Sequence, residues 1–153
     1  MSDLRIQRAV PADLDDLRPL LAGYREFYGQ KPDPAGEHRF LHERLTNHDS
    51  AIFLARASGE AVGFVQLYLT HSAVRLAPVF VLEDLFVKPG ARRSGAGNAL
   101  LDHAKRHALK YGAAGMFLET AHANRTAQRL YETAGWKLEA EFRKYNCPMT
   151  VTA

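Results

Sequence analysis

The chain has 153 residues, of which 46% are hydrophobic, 24% charged and 10% aromatic, so it has the size and composition of one ordinary globular domain. A count of 20 Lys and Arg against 17 Asp and Glu gives a formal net charge of +3. This mild excess suits an anionic ligand and is too small to indicate nucleic-acid binding. The first residues lack the apolar core of a signal peptide, and the longest apolar run, residues 77–82, is too short to span a membrane. We therefore expect a cytoplasmic protein with no membrane or nucleic-acid partner.

The N-terminal half alternates between strand and helix patterns. Residues 4–7 alternate apolar and polar side chains, which predicts a first strand. From Pro11 to Phe27 the apolar residues recur at helical spacing, and Pro19 inside that pattern predicts a kink or a restart of the helix. A second, short helix follows, and two strands come after it. The predicted segments are a helix around residues 40–45, strands over residues 51–57 and 61–69, and a tight hairpin at residues 58–60.

The C-terminal half repeats a strand–helix pattern. A strongly apolar strand, broken by Glu83 and Asp84, precedes a long helix that ends at Gly112. The predicted segments are strands over residues 79–87, 116–120 and 136–145, and helices over residues 95–110 and 124–133. The order β-α-α-β-β-β-α-β-α-β predicts a single α/β domain over residues 1–153, with a mixed sheet and helices on its faces.

Residues 87–98 form the most informative segment. They run Val-Lys-Pro-Gly-Ala-Arg-Arg-Ser-Gly-Ala-Gly-Asn, from a buried strand through a basic, glycine-rich turn into a helix N-terminus. Free backbone N–H groups and the positive end of a helix dipole favour an anion such as a phosphate at this turn. The glycines alone are equally consistent with a turn that only needs a positive φ.

The spacing of the glycines argues against two phosphate-binding motifs. A Walker loop requires Lys and then Ser or Thr after its last glycine, whereas Gly95 is followed by Ala96 and Gly97. The dinucleotide fingerprint requires a further glycine or alanine three positions after Gly97, and this chain has Leu100 there. Nucleoside triphosphatases and Rossmann dehydrogenases are therefore not indicated.

Two motifs in sequence order carry a family resemblance. The turn contains Arg-x-x-Gly-x-Gly at residues 92–97, and a second block reads Asn-x-x-Ala-x-x-Leu-Tyr-x-x-x-Gly-Trp over residues 124–136. With these motifs the chain resembles the GNAT superfamily of acyl-CoA-dependent N-acetyltransferases over essentially its whole length. The run Leu82-Glu83-Asp84 is similar to the diamine/thialysine and the histone/polyamine acetyltransferase branches. The resemblance implies a sheet whose central strands splay apart and acetyl-CoA as the cosubstrate, with no metal.

The resemblance also implies which residues hold acetyl-CoA. Backbone groups of one strand would bind the acetyl and pantetheine arm, and the basic turn would wrap the pyrophosphate. Tyr131 would lie near the thioester sulfur and protonate the leaving thiolate; the alternative is that it only packs in the core. The implied residues are Leu85, Phe86, Val87, Arg92, Arg93, Ser94, Gly95, Ala96, Gly97, Asn98, Asn124, Ala127 and Tyr131.

The acceptor side is implied in the same way. Glu83 would bind the acceptor amine or take its proton; the alternative is that Glu83 or Asp84 only marks a bulge in the strand. Tyr24, Glu26 and Tyr28 would form an aromatic and acidic wall suited to a cationic amine. Tyr24 also fits the apolar stripe of the first helix, so core packing remains open for it.

Several classes of function remain open. We expect acetyl transfer to a small primary amine, namely a polyamine, an amino acid or an analogue, by direct attack in a ternary complex. The alternatives are a protein or histone-type acceptor, at a lysine or an N-terminus, and a non-catalytic acyl-CoA sensor. The i,i+4 histidine pairs 38/42 and 103/107 lack a third ligand and predict solvated helix faces rather than a metal site. Members of this family commonly form dimers, so the resemblance implies a homodimer.

Overall fold

In the computed structural model, which describes residues 3–150, five strands form one sheet in the order β1-β2-β3-β4-β5. The first two and last three residues of the predicted domain lie outside the described range. The strands are β1 (Leu4–Arg8), β2 (Ala51–Ala57), β3 (Glu60–Ser72), β4 (Ala77–Val87) and β5 (Gly115–Phe117). The helices are α1 (Leu14–Phe27), α2 (Pro34–Asn47), α3 (Ala96–Tyr111) and α4 (Arg125–Thr133). This mixed α/β architecture confirms the predicted fold class.

Both faces of the sheet are covered by helices. Successive side chains of a strand point to opposite faces, so Ile52 and Leu54 pack against α1 and α2 while Phe53 and Ala55 pack on the α3 side. The α3 face is filled by small and branched side chains such as Leu100. Apolar side chains therefore pack on both faces of the middle of the sheet. The β4–β5 end of the sheet is where a cavity can form.

The pairing between β4 and β5 ends early. The two strands are parallel and pair only at Val79–Gly115, Phe80–Met116 and Val81–Phe117. β4 continues to Val87 with β3 as its pairing partner, so the two parallel strands splay apart beyond Val81. This confirms the splayed central strands that the sequence led us to expect.

A bulge in β4 lies next to the start of the splay. In the β3–β4 ladder Gln66 is opposite Asp84 and Leu67 is opposite Leu82, which leaves Glu83 as the extra residue. A bulge of this kind bends the strand and redirects a side chain. Glu83 was predicted either to act on the acceptor amine or only to mark a bulge. These alternatives do not exclude each other, because Glu83 marks a bulge and also lies beside the splay.

The strand predicted over residues 136–145 is wrong. Within residues 3–150 no strand forms over 136–145; that segment follows α4 without entering the sheet. Alternating side chains are a local signal, whereas a strand also needs an edge to pair with, and β5 forms only three residue pairs with β4. Of the two alternatives predicted at Pro19, a kink or a restart of the helix, the restart does not occur, because Pro19 lies inside the continuous α1.

A buried carboxylate ties α1 to α2. Glu37 in the first turn of α2 has a side chain only 2% exposed, and it pairs with Arg25 at 3.0 Å and Arg18 at 3.4 Å, both on α1. It also accepts from the backbone N–H of Asp33 at 3.3 Å, so it fixes the loop between the helices. Because α1 carries Tyr24, this clamp helps to set the position of the site's aromatic wall.

Replacing Glu37 with Ala should destabilise the fold by about 2 kcal/mol, since it leaves two guanidinium groups without their buried partner. The arginines are partly solvated, which keeps the loss below that of a fully buried pair. Urea unfolding at neutral pH measures the change. Glu43→Ala on the same helix removes a half-exposed carboxylate and should cost under about 0.5 kcal/mol; equal losses in the two variants would contradict the clamp.

Candidate active site

A cavity of about 580 Å³ opens where β4 and β5 separate. Its walls come from the end of α1, the splayed part of β4, the turn before α3, residues 118–120 and α4. The structure brings most of the predicted site residues to this one cavity. Those that line it are Tyr24, Tyr28, Glu83, Leu85, Phe86, Val87, Arg92, Arg93, Gly95, Gly97, Asn98, Asn124, Ala127 and Tyr131.

Three predicted residues do not line the cavity. Ser94 instead shapes the turn, because its hydroxyl donates to the carbonyl of Ala91 at 2.5 Å and accepts from the N–H of Ala96 at 3.3 Å. Ala96, the first residue of α3, is buried in the core. Glu26 is exposed and lies outside the cavity. Tyr24 and Tyr28 are four residues apart and lie on the same side of the helix, whereas Glu26, two residues from each, points to the opposite side.

The turn before α3 has the geometry of an anion site. Arg93 and Gly95 have positive φ angles of 70° and 88°, which turn the backbone sharply just before α3 begins at Ala96. Gly97 and Asn98 in the first turn of this long helix line the cavity together with Arg92 and Arg93, and the first N–H groups of a helix favour an anion. A positive φ at a non-glycine residue such as Arg93 is a local strain that commonly marks a ligand-binding turn.

Contacts with the end of β4 orient the Arg92 side chain. Its Nε donates to the carbonyl of Val87 at 3.1 Å, and its guanidinium carbon lies 6.0 Å from the centre of the Phe86 ring. These contacts hold a permanent positive charge at the junction between β4 and the turn. The donor set of guanidinium groups and helix N–H groups fits a pyrophosphate.

Tyr131 faces the cavity from α4. The helix is fixed at its start by Asn124, whose side-chain oxygen accepts from the N–H of Ala127 at 3.2 Å, an N-terminal cap. The Tyr131 ring lies 6.1 Å from that of Trp136. Burial raises the pKa of Tyr131 to about 12, so the phenol stays protonated at neutral pH and can donate a hydrogen bond.

A second, smaller cavity of about 260 Å³ shares a wall with the first. Residues common to both include Tyr24, Tyr28, Glu83 and Glu119, and the smaller one adds Asp84. Three carboxylates and two tyrosines thus border a single space. Glu119 also pairs with Lys144.

Sequence reasoning missed Glu119 and gave Asp84 no role beyond the bulge. Glu119 lies just past the carboxyl end of β5, next to a parallel neighbour. That placement, at the splay between two parallel strands, was the signal that could have identified it. The bulge at Glu83 similarly brings both Glu83 and Asp84 to the smaller cavity.

Asp84 is held by a chain of side-chain hydrogen bonds. Gln66, 2% exposed, donates from Nε2 to the Asp84 carboxylate at 2.7 Å, and its Oε1 accepts from the hydroxyl of Ser50 at 2.8 Å. Burial raises the pKa of Asp84, and the hydrogen bond from Gln66 opposes that rise. Burial and the charge of Asp84 raise the pKa of Tyr24, whose hydroxyl therefore stays protonated.

Residues 3–150 hold neither a cluster of metal ligands nor a membrane-spanning helix. In that range no three His, Cys, Asp or Glu side chains lie close enough together to hold a metal ion. None of the helices there is long and apolar enough to cross a membrane. The prediction of a solvated helix face is wrong for the second histidine pair, because His103 and His107 are partly buried and pack against the ring of Phe53, with centroids 4.6 and 5.1 Å away.

The raised pKa of Asp84 predicts a pH-dependent cost to stability. The folded carboxyl binds its proton more tightly than the unfolded one, so stability falls as the pH rises from the ordinary aspartate pKa of about 3.9 through the folded value. Asp84→Asn abolishes that loss, and its free energy of unfolding should therefore increase relative to wild type as the pH rises from acid to neutral. Urea unfolding at a series of pH values measures the difference. Asp102→Asn, on the exposed side of α3, controls for loss of a carboxylate; the same trend in both variants would refute the assignment.

Comparisons with known proteins agree with this geometry. Residues 14–136 match the model of the Acetyltransferase (GNAT) family. The chain is 44% identical over 142 residues to the uncharacterized N-acetyltransferase YhfO of Bacillus subtilis (strain 168), covering 93% of this chain and 95% of that protein. A crystal structure of a probable acetyltransferase, 39% identical, superposes with a TM-score of 0.90 and covers 97% of this chain and 99% of that chain.

A more distant structure shares the fold. The aminoglycoside N-acetyltransferase AAC(6')-Iy in complex with CoA is 24% identical, covers 96% of each chain and gives a TM-score of 0.81. The family match over most of the chain, together with the phosphate-type turn and the splay that forms the cavity, leads to one conclusion. The chain belongs to the GNAT family of acetyltransferases.

Proposed function

We propose that the chain transfers the acetyl group of acetyl-CoA to a primary amine of a small cationic molecule, by direct attack in a ternary complex. The observation that carries this proposal is the pair of adjoining cavities, one with a basic turn and the other with carboxylates, which meet at Glu83. The larger cavity suits an anionic donor with a long arm. The smaller one suits a cation.

The walls of the smaller cavity support a cationic acceptor. Glu83 and Asp84 supply negative charge beside Glu119, whose carboxylate is paired with Lys144, and the rings of Tyr24 and Tyr28, 5.1 Å apart, supply π faces. Ammonium groups are attracted by both kinds of group. Aminoglycosides, which the structural relative AAC(6')-Iy acetylates according to its name, are amines of this kind.

The acceptor must lose a proton before it attacks. An alkylammonium has a pKa of about 10.4, so the neutral amine is scarce at neutral pH. Glu83 borders both cavities and is exposed to the shared space, so it can take that proton directly or through water. Asp84, half-buried beside it, holds the cation in place.

Transfer then forms a C–N bond and breaks the C–S bond of the thioester. Past Val81, the β4 edge that faces β5 has no β5 partner, so its N–H groups are available to the thioester oxygen as negative charge develops there. A thiol resembling cysteine has a pKa of about 8.5, well below that of Tyr131. Tyr131 therefore stabilises the leaving thiolate by donating a hydrogen bond and does not itself protonate it. The attacking nitrogen releases its second proton to solvent as the amide forms, and solvent protonates the thiolate.

The proposal also covers the extent of the domain, its location in the cell, its cosubstrate and its oligomeric state. We place the activity in one domain over residues 1–153, in the cytoplasm, with acetyl-CoA as cosubstrate and no metal, and we expect a homodimer. Lysine or N-terminal acceptors on proteins, and a sensor that binds acyl-CoA without catalysis, are the competing functions. The presence of both Glu83 and Tyr131 at the cavity favours an enzyme.

An amine panel tests the acceptor class. Release of free thiol from acetyl-CoA is followed with spermidine, putrescine, lysine, thialysine, an aminoglycoside and a basic histone-tail peptide, and turnover is expected with at least one of the small polycationic amines. For that amine Asp84→Asn should raise KM at least about tenfold, because a charged hydrogen bond contributes roughly 1.5–3 kcal/mol.

The matched control is Glu26→Gln, which removes a carboxylate from α1 outside both cavities and should leave KM unchanged. Turnover on the histone-tail peptide alone would overturn the small-amine proposal. Binding of acetyl-CoA with no turnover on any amine would favour the sensor.

Tyr131→Phe tests the proposed hydrogen bond to the leaving thiolate. We expect turnover to fall more than tenfold while the affinity for CoA stays nearly constant, because only the charge that develops during transfer loses its donor. Steady-state kinetics and calorimetric CoA binding measure the two quantities. Tyr111→Phe, on the exposed side of α3, should change neither. Unchanged turnover in Tyr131→Phe would remove this residue from the chemistry.

A further inference from the structure

A row of polar side chains crosses the face of the sheet that α1 and α2 cover. Ser50 precedes β2, Gln66 lies in β3 and Asp84 lies in β4, so the row crosses three adjacent strands. The hydroxyl of Ser50 donates to Oε1 of Gln66 at 2.8 Å, and Nε2 of Gln66 donates to Oδ2 of Asp84 at 2.7 Å. The row therefore ends on a carboxylate of the smaller cavity.

Gln66 is buried at a position where an apolar side chain would need no hydrogen bonds. Phe64, its neighbour on the same face of β3, belongs to the apolar cluster under α1 and α2. Gln66 itself is 2% exposed and lines neither cavity. A buried amide is costly unless its oxygen and its nitrogen are both hydrogen-bonded. Ser50 and Asp84 supply these two bonds, so the glutamine is matched to this row and not to its apolar neighbours.

Ser50 determines which end of the Gln66 amide faces Asp84. The two ends have the same shape, but the oxygen only accepts hydrogen bonds and the nitrogen only donates them. Because the Ser50 hydroxyl donates to Oε1, Nε2 is left to face Asp84. In the reversed orientation Oε1 would face the carboxylate and repel it unless Asp84 kept its proton. The observed orientation therefore favours an ionised Asp84.

The surroundings of Asp84 make the bond from Gln66 important. Burial is the main cause that raises the pKa of Asp84, and the charge of Glu83 raises it further. Gln66 and, more weakly, Tyr24 lower it. Without Gln66 the carboxyl would keep its proton to a higher pH, and a neutral carboxyl attracts an ammonium group far less than a carboxylate does.

We propose that Ser50 and Gln66 are positioning residues that determine the affinity of the smaller cavity for the acceptor amine. This inference rests on the proposed function, because the amine is the ligand that Asp84 would bind. Gln66 occupies one position on Oδ2, and a carboxylate has roughly four acceptor positions, so Asp84 can still accept from an ammonium group. A carboxylate that is already fixed loses less side-chain freedom when it binds a cation.

Steady-state kinetics with the amine of the panel that the wild type acetylates fastest tests the inference. Gln66→Met keeps the length of the side chain and removes its donor. It should raise KM for the amine about tenfold and leave kcat within about twofold. KM for acetyl-CoA should not change, because Asp84 lines only the smaller cavity. Gln7→Met, at an exposed position in β1, is the matched control and should change none of these values.

Ser50→Ala tests the other bond of the row at a residue that lines neither cavity. It should raise KM for the amine about threefold, because one hydrogen bond between neutral groups is lost. Ser50→Thr keeps the hydroxyl and should retain the wild-type KM. In a Gln66→Met background Ser50→Ala should have no further effect, and in an Asp84→Asn background neither change should raise KM further. Circular dichroism checks that each variant is folded.

Contrary results separate this inference from the proposed function. Wild-type turnover with an unchanged KM in Gln66→Met would refute the inference, as would a fall in kcat without a rise in KM. Effects of Ser50→Ala and Gln66→Met that add in full would also refute it. If Gln66→Met does not fold, the comparison of Ser50→Ala with Ser50→Thr decides, and an equal KM in the two would overturn the inference. No wild-type turnover with any amine would overturn the proposed function and the inference with it.

Discussion

The early end of the β4–β5 pairing is the constraint on which the site depends. Three residue pairs hold these parallel strands together, and β4 then continues to Val87 without β5. Unpaired backbone groups inside a protein require a partner, and the splay leaves such groups at the wall of the larger of the two cavities. The same separation makes room for α3 and α4 to face that cavity, so the basic turn and Tyr131 converge on one space.

Two local features near the splay, a bulge and a buried hydrogen bond, determine which charged groups face the smaller cavity. The bulge at Glu83 brings adjacent acidic residues to the smaller cavity, where an unbroken strand would turn alternate side chains to opposite faces. Gln66 donates a side-chain hydrogen bond to Asp84. This bond keeps the pKa of the half-buried carboxyl below the value that burial alone would give. The ion pairs of Glu37 anchor α1, whose Tyr24 and Tyr28 complete the wall.

Local signals in the sequence were enough to predict most of the fold and the basic turn. Helical spacing, the capping glycines and the Arg-x-x-Gly-x-Gly motif are properties of neighbouring residues, and α3 begins within one residue of its predicted start. Glu119 was missed because its place at the site depends on the packing of β5 beside β4. Glu26 was included because it is only two residues from Tyr24 in sequence, although that spacing places it on another face of the helix. The strand over residues 136–145 was predicted from alternation alone, which cannot show whether a pairing edge is present.

The central claim is that the turn over residues 92–97 binds the pyrophosphate of a CoA donor whose arm lies along β4. Calorimetric binding of CoA and of acetylated pantetheine to Arg92→Ala/Arg93→Ala tests it directly, with Arg106→Ala on exposed α3 as the control. The account predicts that the double variant loses at least about tenfold in CoA affinity while its affinity for the pantetheine compound, which has no pyrophosphate, is unchanged. An unchanged affinity for CoA, or an equal loss for both ligands, would contradict it.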